Sequence, residues 1–164
     1  FIVKNKDYGT NWRIMRLSTL IDQIFIKATR IRSIEEGKIQ KVADDIPSEY
    51  IGIINYSTLT LIQMEYGDKL PDEVEFEKVL ILYENFISSA MDLMEAKNHD
   101  YGEAWRDMYI TSYTDLILSK LLRIRAIIEN QGKTVASEGI DANLFDIINY
   151  SFFGLIKLQE NENQ

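Results

Sequence analysis

The sequence reads KNKDYGTNW at Lys4–Trp12 and KNHDYGEAW at Lys97–Trp105, and these two stretches hold both of its tryptophans. Working outward from them, residue i aligned with i+93 from Lys4 to Glu36 gives 16 identities in 33 positions without a gap. The matches include Asp7/Asp100, Gly9/Gly102, Arg13/Arg106, Asp22/Asp115, Lys27/Lys120, Arg30/Arg123, Arg32/Arg125 and Glu36/Glu129. After a one-residue shift the copies meet again as IINYS, at Ile53–Ser57 and Ile147–Ser151. A period this long does not describe a solenoid of small units. It describes a duplicated half-domain, packed about a pseudo-two-fold axis like a homodimer joined into one chain.

Each copy reads as helices. Ile110, Tyr113, Ile117, Leu121, Ile124 and Ile128 recur at three- and four-residue steps, one face of a helix that Gly132 would stop. Asp141 introduces a further helix through Leu158, with Leu144, Ile148 and Leu155 on its core face. Pro71-Asp72 starts a preceding helix whose stripe is Leu80, Tyr83, Ile87, Met91 and Met94. That helix is expected to end near Asn98, with the DYG triplet as the turn: Gly102 permits a left-handed residue and Asp100 holds it through local hydrogen bonds. β-style alternation is absent. The fold class is all-α, a helical bundle of five long helices plus a stub, built from two tandem repeats with pseudo-two-fold symmetry. Repeat 1 covers 1–66, with its leading helix cut to a stub at Phe1–Lys6. A linker covers 67–72 and repeat 2 covers 73–164, the two packed as one globular unit.

Composition narrows the function classes. The chain has no cysteine and one histidine, His99, so thiolate and His-rich metal sites are excluded. A net charge of −8 argues against a surface that coats nucleic acid, because phosphate contacts need clustered Lys and Arg. No apolar run reaches membrane-span length, and the expectation is a soluble, cytoplasmic protein.

The charges are unevenly preserved between the copies. Ten of the 18 basic residues occupy positions that recur, but only six of the 26 acidic ones do. Two explanations fit: a cationic site for an anion, phosphate above all, or ion pairs that the shared fold needs. In NLFDIINYSFF, Asn143–Phe153, the residues Asp146, Asn149, Tyr150 and Phe153 share one face of an otherwise apolar helix. A carboxylate and an amide there must meet partners or line a polar pocket. Lys120 or Arg123 from the preceding helix is the natural partner for Asp146. Repeat 1 has Gly52 at this position: if the Asp is catalytic or binds metal, that copy has lost the function, and if it is structural, the change needs compensation elsewhere. Trp105 reads as a plug at a bundle end. Tyr101, Asn98 and Lys97 could instead stack on a base, read its edge and approach a phosphate.

The pattern KNxDYGxxW, then K-x-x-R-I-R, then D-x-x-N-Y resembles an all-helical family once listed as of unknown function. That family has since been described as a nucleotide-modification-associated domain of bacterial and phage proteins. The resemblance covers most of the chain, twice, and implies a protein tied to nucleotide metabolism or modification. A more distant similarity is to the all-α nucleoside triphosphate pyrophosphohydrolases, the MazG and dimeric dUTPase group. Their E-x-x-D followed by an aromatic pair is comparable with Asn143-x-x-Asp146 and Asn149-Tyr150. Their chemistry implies Mg²⁺, with Asp146 as its ligand. The chain departs from them where their earlier helix carries E-x-x-E, having Lys and Arg there instead.

The expected function is therefore a nucleotide-binding protein, extending to a nucleotide phosphohydrolase. Asp146 and Glu129 are its candidate catalytic groups. The candidate ligand contacts are Lys97, Asn98, Asp100, Tyr101, Lys120, Arg123, Arg125, Asn149 and Tyr150. The partner is a nucleotide or another phosphorylated small molecule, with nucleic acid disfavoured and a homodimer of the fused halves left open. The competing expectation is a non-enzymatic helical scaffold or protein-interaction module.

Overall fold

The computed structural model describes residues 2, 9–41, 45–67, 69–71, 73–131 and 139–162. Five α-helices lie among them: α1 (Leu17–Glu35), α2 (Ile46–Tyr66), α3 (Phe76–Tyr101), α4 (Ile110–Glu129) and α5 (Ile140–Glu162). Short 3₁₀ turns at Asn11–Ile14 and Ala104–Asp107 precede α1 and α4. α1 packs on α2 and α4 on α5, while α2 meets α5 and α1 meets α4. Those four contacts close a ring around one core, in which Ile21, Ile24, Ile31, Ile53, Leu121, Ile124, Leu144 and Ile148 are fully buried. Each such side chain contributes about 1.5–3 kcal/mol of burial.

Local chemistry accounts for the helix ends. Asp45 caps α2 by accepting the Ser48 backbone N–H at 2.9 Å, with Pro47 in the first turn. Gly102 ends α3 in the left-handed conformation, φ 62°, its N–H returning to the Asn98 carbonyl. The helix therefore runs through Tyr101, past the expected end near Asn98. Asp100 does not hold the turn, because its exposed carboxylate meets the His99 ring instead, at 3.2 Å. α3 also starts later than Pro71. Arg13 donates to the Gly67 and Leu70 carbonyls, each at 2.9 Å, and pins that segment as a non-helical strap over Trp12. α5 runs four residues beyond Leu158. Gly132, Asp72 and nearly all of the Phe1–Lys6 stub lie outside the described residues.

The pseudo-two-fold relation is written in side chains. Arg125 of α4 holds Asp22 of α1 at 2.6 Å, and Arg32 of α1 lies 3.8 Å from Asp115 of α4. Exchanging each residue for its repeat equivalent, 93 positions away, turns the first pair into the second. Such reciprocal contacts are the mark of an isologous interface. Trp12 packs with Leu59, and Trp105 stacks on Phe153 at 4.4 Å, Leu59 and Phe153 being equivalent positions. Both tryptophans are buried plugs. Gln63 and Lys157, equivalent again, each donate to the backbone carbonyl of their own repeat's arginine, Arg13 or Arg106.

Divergence is local and compensated. Tyr50 is fully buried against Gly154, where a Cβ would stand 2.6 Å from the ring carbon Cζ. The equivalent pair is Leu144 with Thr60, a smaller residue facing a larger one. Tyr50 Oη also meets Thr114 Oγ1 at 3.3 Å, and Thr114 donates to Glu35 at 2.8 Å. The one hydroxyl proton of Thr114 goes to Glu35, so Tyr50 is the donor in the first bond. The equivalent trio is Leu144, Ile21 and Ile128, wholly apolar. Burial raises the Glu35 carboxyl above its ordinary range, against the Thr114 hydrogen bond, and raises Tyr50 to about 12.

Two outcomes follow from this asymmetry. Gly154→Ala is expected to destabilise the fold by about 1–3 kcal/mol in urea denaturation, through overpacking against a ring that cannot move. Adding Tyr50→Leu, the residue repeat 2 uses, should restore part of that loss. Because the folded state raises the Glu35 pKa, its protonated form is the favoured one there. Stability from this group is full below the unfolded value of 4.5 and is lost as pH rises through the folded value. Glu35→Gln should therefore melt about a degree or two above wild type at pH 7, with the gap closing toward pH 4.

Candidate functional site

Asp146 lies in the second turn of α5 and is 7% exposed. Lys97, from the end of α3, reaches one carboxylate oxygen at 2.5 Å, and Lys120, from the middle of α4, reaches the other at 2.7 Å. A carboxylate this buried is costly unless paired. Two ammonium groups from different helices answer that need. Their side chains differ in exposure, 46% for Lys97 and 24% for Lys120. Lys120 is thus the fixed partner, and Lys97 reaches in from solvent.

Repeat 1 rebuilds the same cluster one helical turn away. Glu49 of α2, equivalent to Asn143, accepts from Lys27 at 3.1 Å and Arg30 at 3.0 Å, its side chain 4% exposed. Lys27 is the counterpart of Lys120. It crosses Gly52, where a Cβ would stand 2.6 Å from its Cε. This is the compensating change: losing the Asp at 52 makes room for the lysine stem, and the glutamate three residues earlier takes the charge. Arg30 supplies the second cation that Lys97 supplies in repeat 2.

The other expected site residues divide. Asn149 follows Asp146 by three residues on the same side of α5, is 4% exposed, and neither of its amide atoms has a hydrogen-bond partner among the described residues. Such a group costs about 1–3 kcal/mol. Tyr150 is half-buried and packs with both core clusters. Asn98 is half-buried, and Tyr101 stands 74% exposed one turn beyond Lys97. Asp100 is exposed beside His99.

Arg123, Arg125 and Glu129 are not brought to Asp146. Arg123 is exposed and makes no ion pair among the described residues. Arg125 crosses to Asp22, its guanidinium 3.9 Å from the centre of the Phe25 ring. Glu129 ends α4 on the opposite side from Lys120, about 13 Å along the axis. Among the described residues no group of three His, Asp or Glu is placed to hold a metal ion.

Sequence reasoning missed Glu49 and Tyr83. The exchange of Glu49-x-x-Gly52 for Asn143-x-x-Asp146 was its one visible trace of the moved carboxylate. Tyr83 of α3, pushed to about 12 by burial, remains a donor and gives its proton to Asn55 Oδ1 at 2.6 Å. Asn55 is the equivalent of Asn149.

A duplicated all-α pseudo-dimer, with a paired carboxylate in each half, is the class these features define. The family described as "Nucleotide modification associated domain 1" matches the chain twice, over residues 4–64 and 97–158. The chain belongs to this family, as a tandem duplication. No curated protein and no solved structure matches it. Among the described residues no helix is long and apolar enough to cross a membrane.

Asp146→Ala removes the buried carboxylate that Lys97 and Lys120 share. It should cost about 1–3 kcal/mol by urea denaturation, below the full buried-pair figure because both lysines keep contact with water. Lys97→Ala should cost under about 1 kcal/mol.

Proposed function

We propose that the chain is a nucleotide-binding protein whose phosphate site is the Lys97, Asp146 and Lys120 cluster. The observation that carries this reading is the convergence of two ammonium groups from separate helices on one buried carboxylate. In a chain of net charge −8, the two lysines bring cationic groups together at one partly exposed place. An incoming phosphate takes over Lys97, the more exposed cation, while Lys120 stays anchored. Tyr101 offers a flat face within one turn of Lys97, with Asn98 and Asp100 beside it, and Asn149 offers an unpaired donor and acceptor to a base or sugar. The family's description supports a nucleotide ligand.

The phosphohydrolase form of this reading goes further. It needs Asp146 released from its lysines to hold Mg²⁺ that arrives with the ligand's phosphates, and to position a water against them. Neither Glu129 nor Arg123 lies near enough to share that work without rearrangement. A second reading has its own support. Arg32 and Arg125 are engaged by Asp115 and Asp22 across the two halves, so part of the recurring charge serves the fold, as a scaffold would require.

Calorimetric titration with nucleoside mono-, di- and triphosphates, with and without Mg²⁺, separates these readings. Binding is expected in the micromolar to millimolar range, weakened at least about tenfold by Lys120→Ala and competed by inorganic phosphate. No heat and no melting shift with any nucleotide at millimolar concentration would leave the scaffold.

A further inference from the structure

α3 is the longest helix, yet only Val79 and Ala90 of its 26 residues are buried. α2, with 21 residues, buries ten. Leu80, Leu82 and Ile87 are half-covered, and Ile81 and Met91 are 58% and 47% exposed. The four other helices close the core among themselves, and α3 lies across α2 and α5 from outside. Its polar attachments include one on each repeat: Tyr83 on Asn55 at 2.6 Å and Lys97 on Asp146 at 2.5 Å. These are 14 residues apart, about 21 Å along the axis.

The face it crosses is polar for an interior. Asp146 is 7% exposed, Thr58 of α2 is fully buried, and Asn149 lies between Asp146 and Phe153, which packs with Met94 of α3. The unpaired carboxamide of Asn149 makes poor sense in a permanently closed contact, but it suits a surface that opens to water or ligand. Beyond α3 the chain passes through two successive left-handed residues, Gly102 at φ 62° and Glu103 at φ 55°, before Trp105 anchors it on Phe153. Before α3, Leu70 is anchored by Arg13. The helix thus hangs between two fixed points.

We propose that α3 is a hinged cover, latched by the Lys97–Asp146 pair, and that as it lifts a phosphate-bearing ligand reaches Lys120 and Asn149 while Lys97 passes from Asp146 to the phosphate. Between Glu73 and Tyr101 there are seven Asp and Glu against two Lys, −5 of the chain's −8. The closed cover therefore repels phosphate, and lifting it removes that field along with the latch. The ligand step rests on the nucleotide-binding reading above; the hinge does not.

Hydrogen exchange on the whole chain tests the hinge without a ligand. α3 amides should exchange at least about tenfold faster than the buried turns of α2 and α4, and Lys97→Ala should accelerate α3 alone. Exchange of α3 in step with α2 and α4 would overturn the proposal. Because the chain has no cysteine, Tyr83→Cys with Asn55→Cys can be joined by a short thiol-to-thiol linker that holds the cover shut. The linked form should lose at least about tenfold in ATP or ADP affinity relative to the unlinked double variant, and equal affinities would overturn the proposal. If the unlinked variant and wild type both fail to bind, the nucleotide reading falls, and the exchange rates still decide the hinge.

Discussion

Two halves that share a sequence can meet only through a surface complementary to itself, and the reciprocal pairs Arg125–Asp22 and Arg32–Asp115 show that condition met. With α1 against α4 and α2 against α5, each repeat covers the apolar face the other cannot bury alone. The rest of the molecule follows from it. The tryptophan plugs and the paired carboxylates occur twice because one half-domain has to serve in both places.

Fusion into one chain relaxes the constraint. A true homodimer must use the same residue on both sides of the axis, so a tyrosine facing glycine would also be a glycine facing tyrosine. Here Tyr50 meets Gly154 while Leu144 meets Thr60, and a polar trio at Glu35, Thr114 and Tyr50 stands where the other half is apolar. The carboxylate has moved by one turn, from Asp146 to Glu49, with the lysine following it across Gly52. The paired carboxylate keeps its charge while its position and identity change. Packing and desolvation act on volume and charge and not on residue names.

The recurring cations prove to have different employments. Arg32 and Arg125 join the halves, Arg13 and Arg106 hold the ends of the bundle, and Lys27 and Lys120 meet buried acids. At the last position, with Lys97 beside it in repeat 2, two ammonium groups from separate helices meet one buried carboxylate. Membership of a family linked to nucleotide modification makes a phosphate-bearing ligand the natural candidate for that place.

Much of the architecture was legible from the chain alone, because helical periodicity and a 93-residue repeat are local, additive signals. They revealed an all-α fold, a duplication, and an acid in α5 whose partner on α4 was narrowed to Arg123 or Lys120. What the periodicity could not carry was which cation crosses to which helix. Lys97 and Asp146 are 49 residues apart, and Arg125 lies nearer in sequence to Asp146 than Lys97 does, yet it turns away to Asp22. Those choices belong to the tertiary structure, because an ion pair depends on a few ångströms of separation between helices, and sequence spacing does not encode the angle at which helices meet.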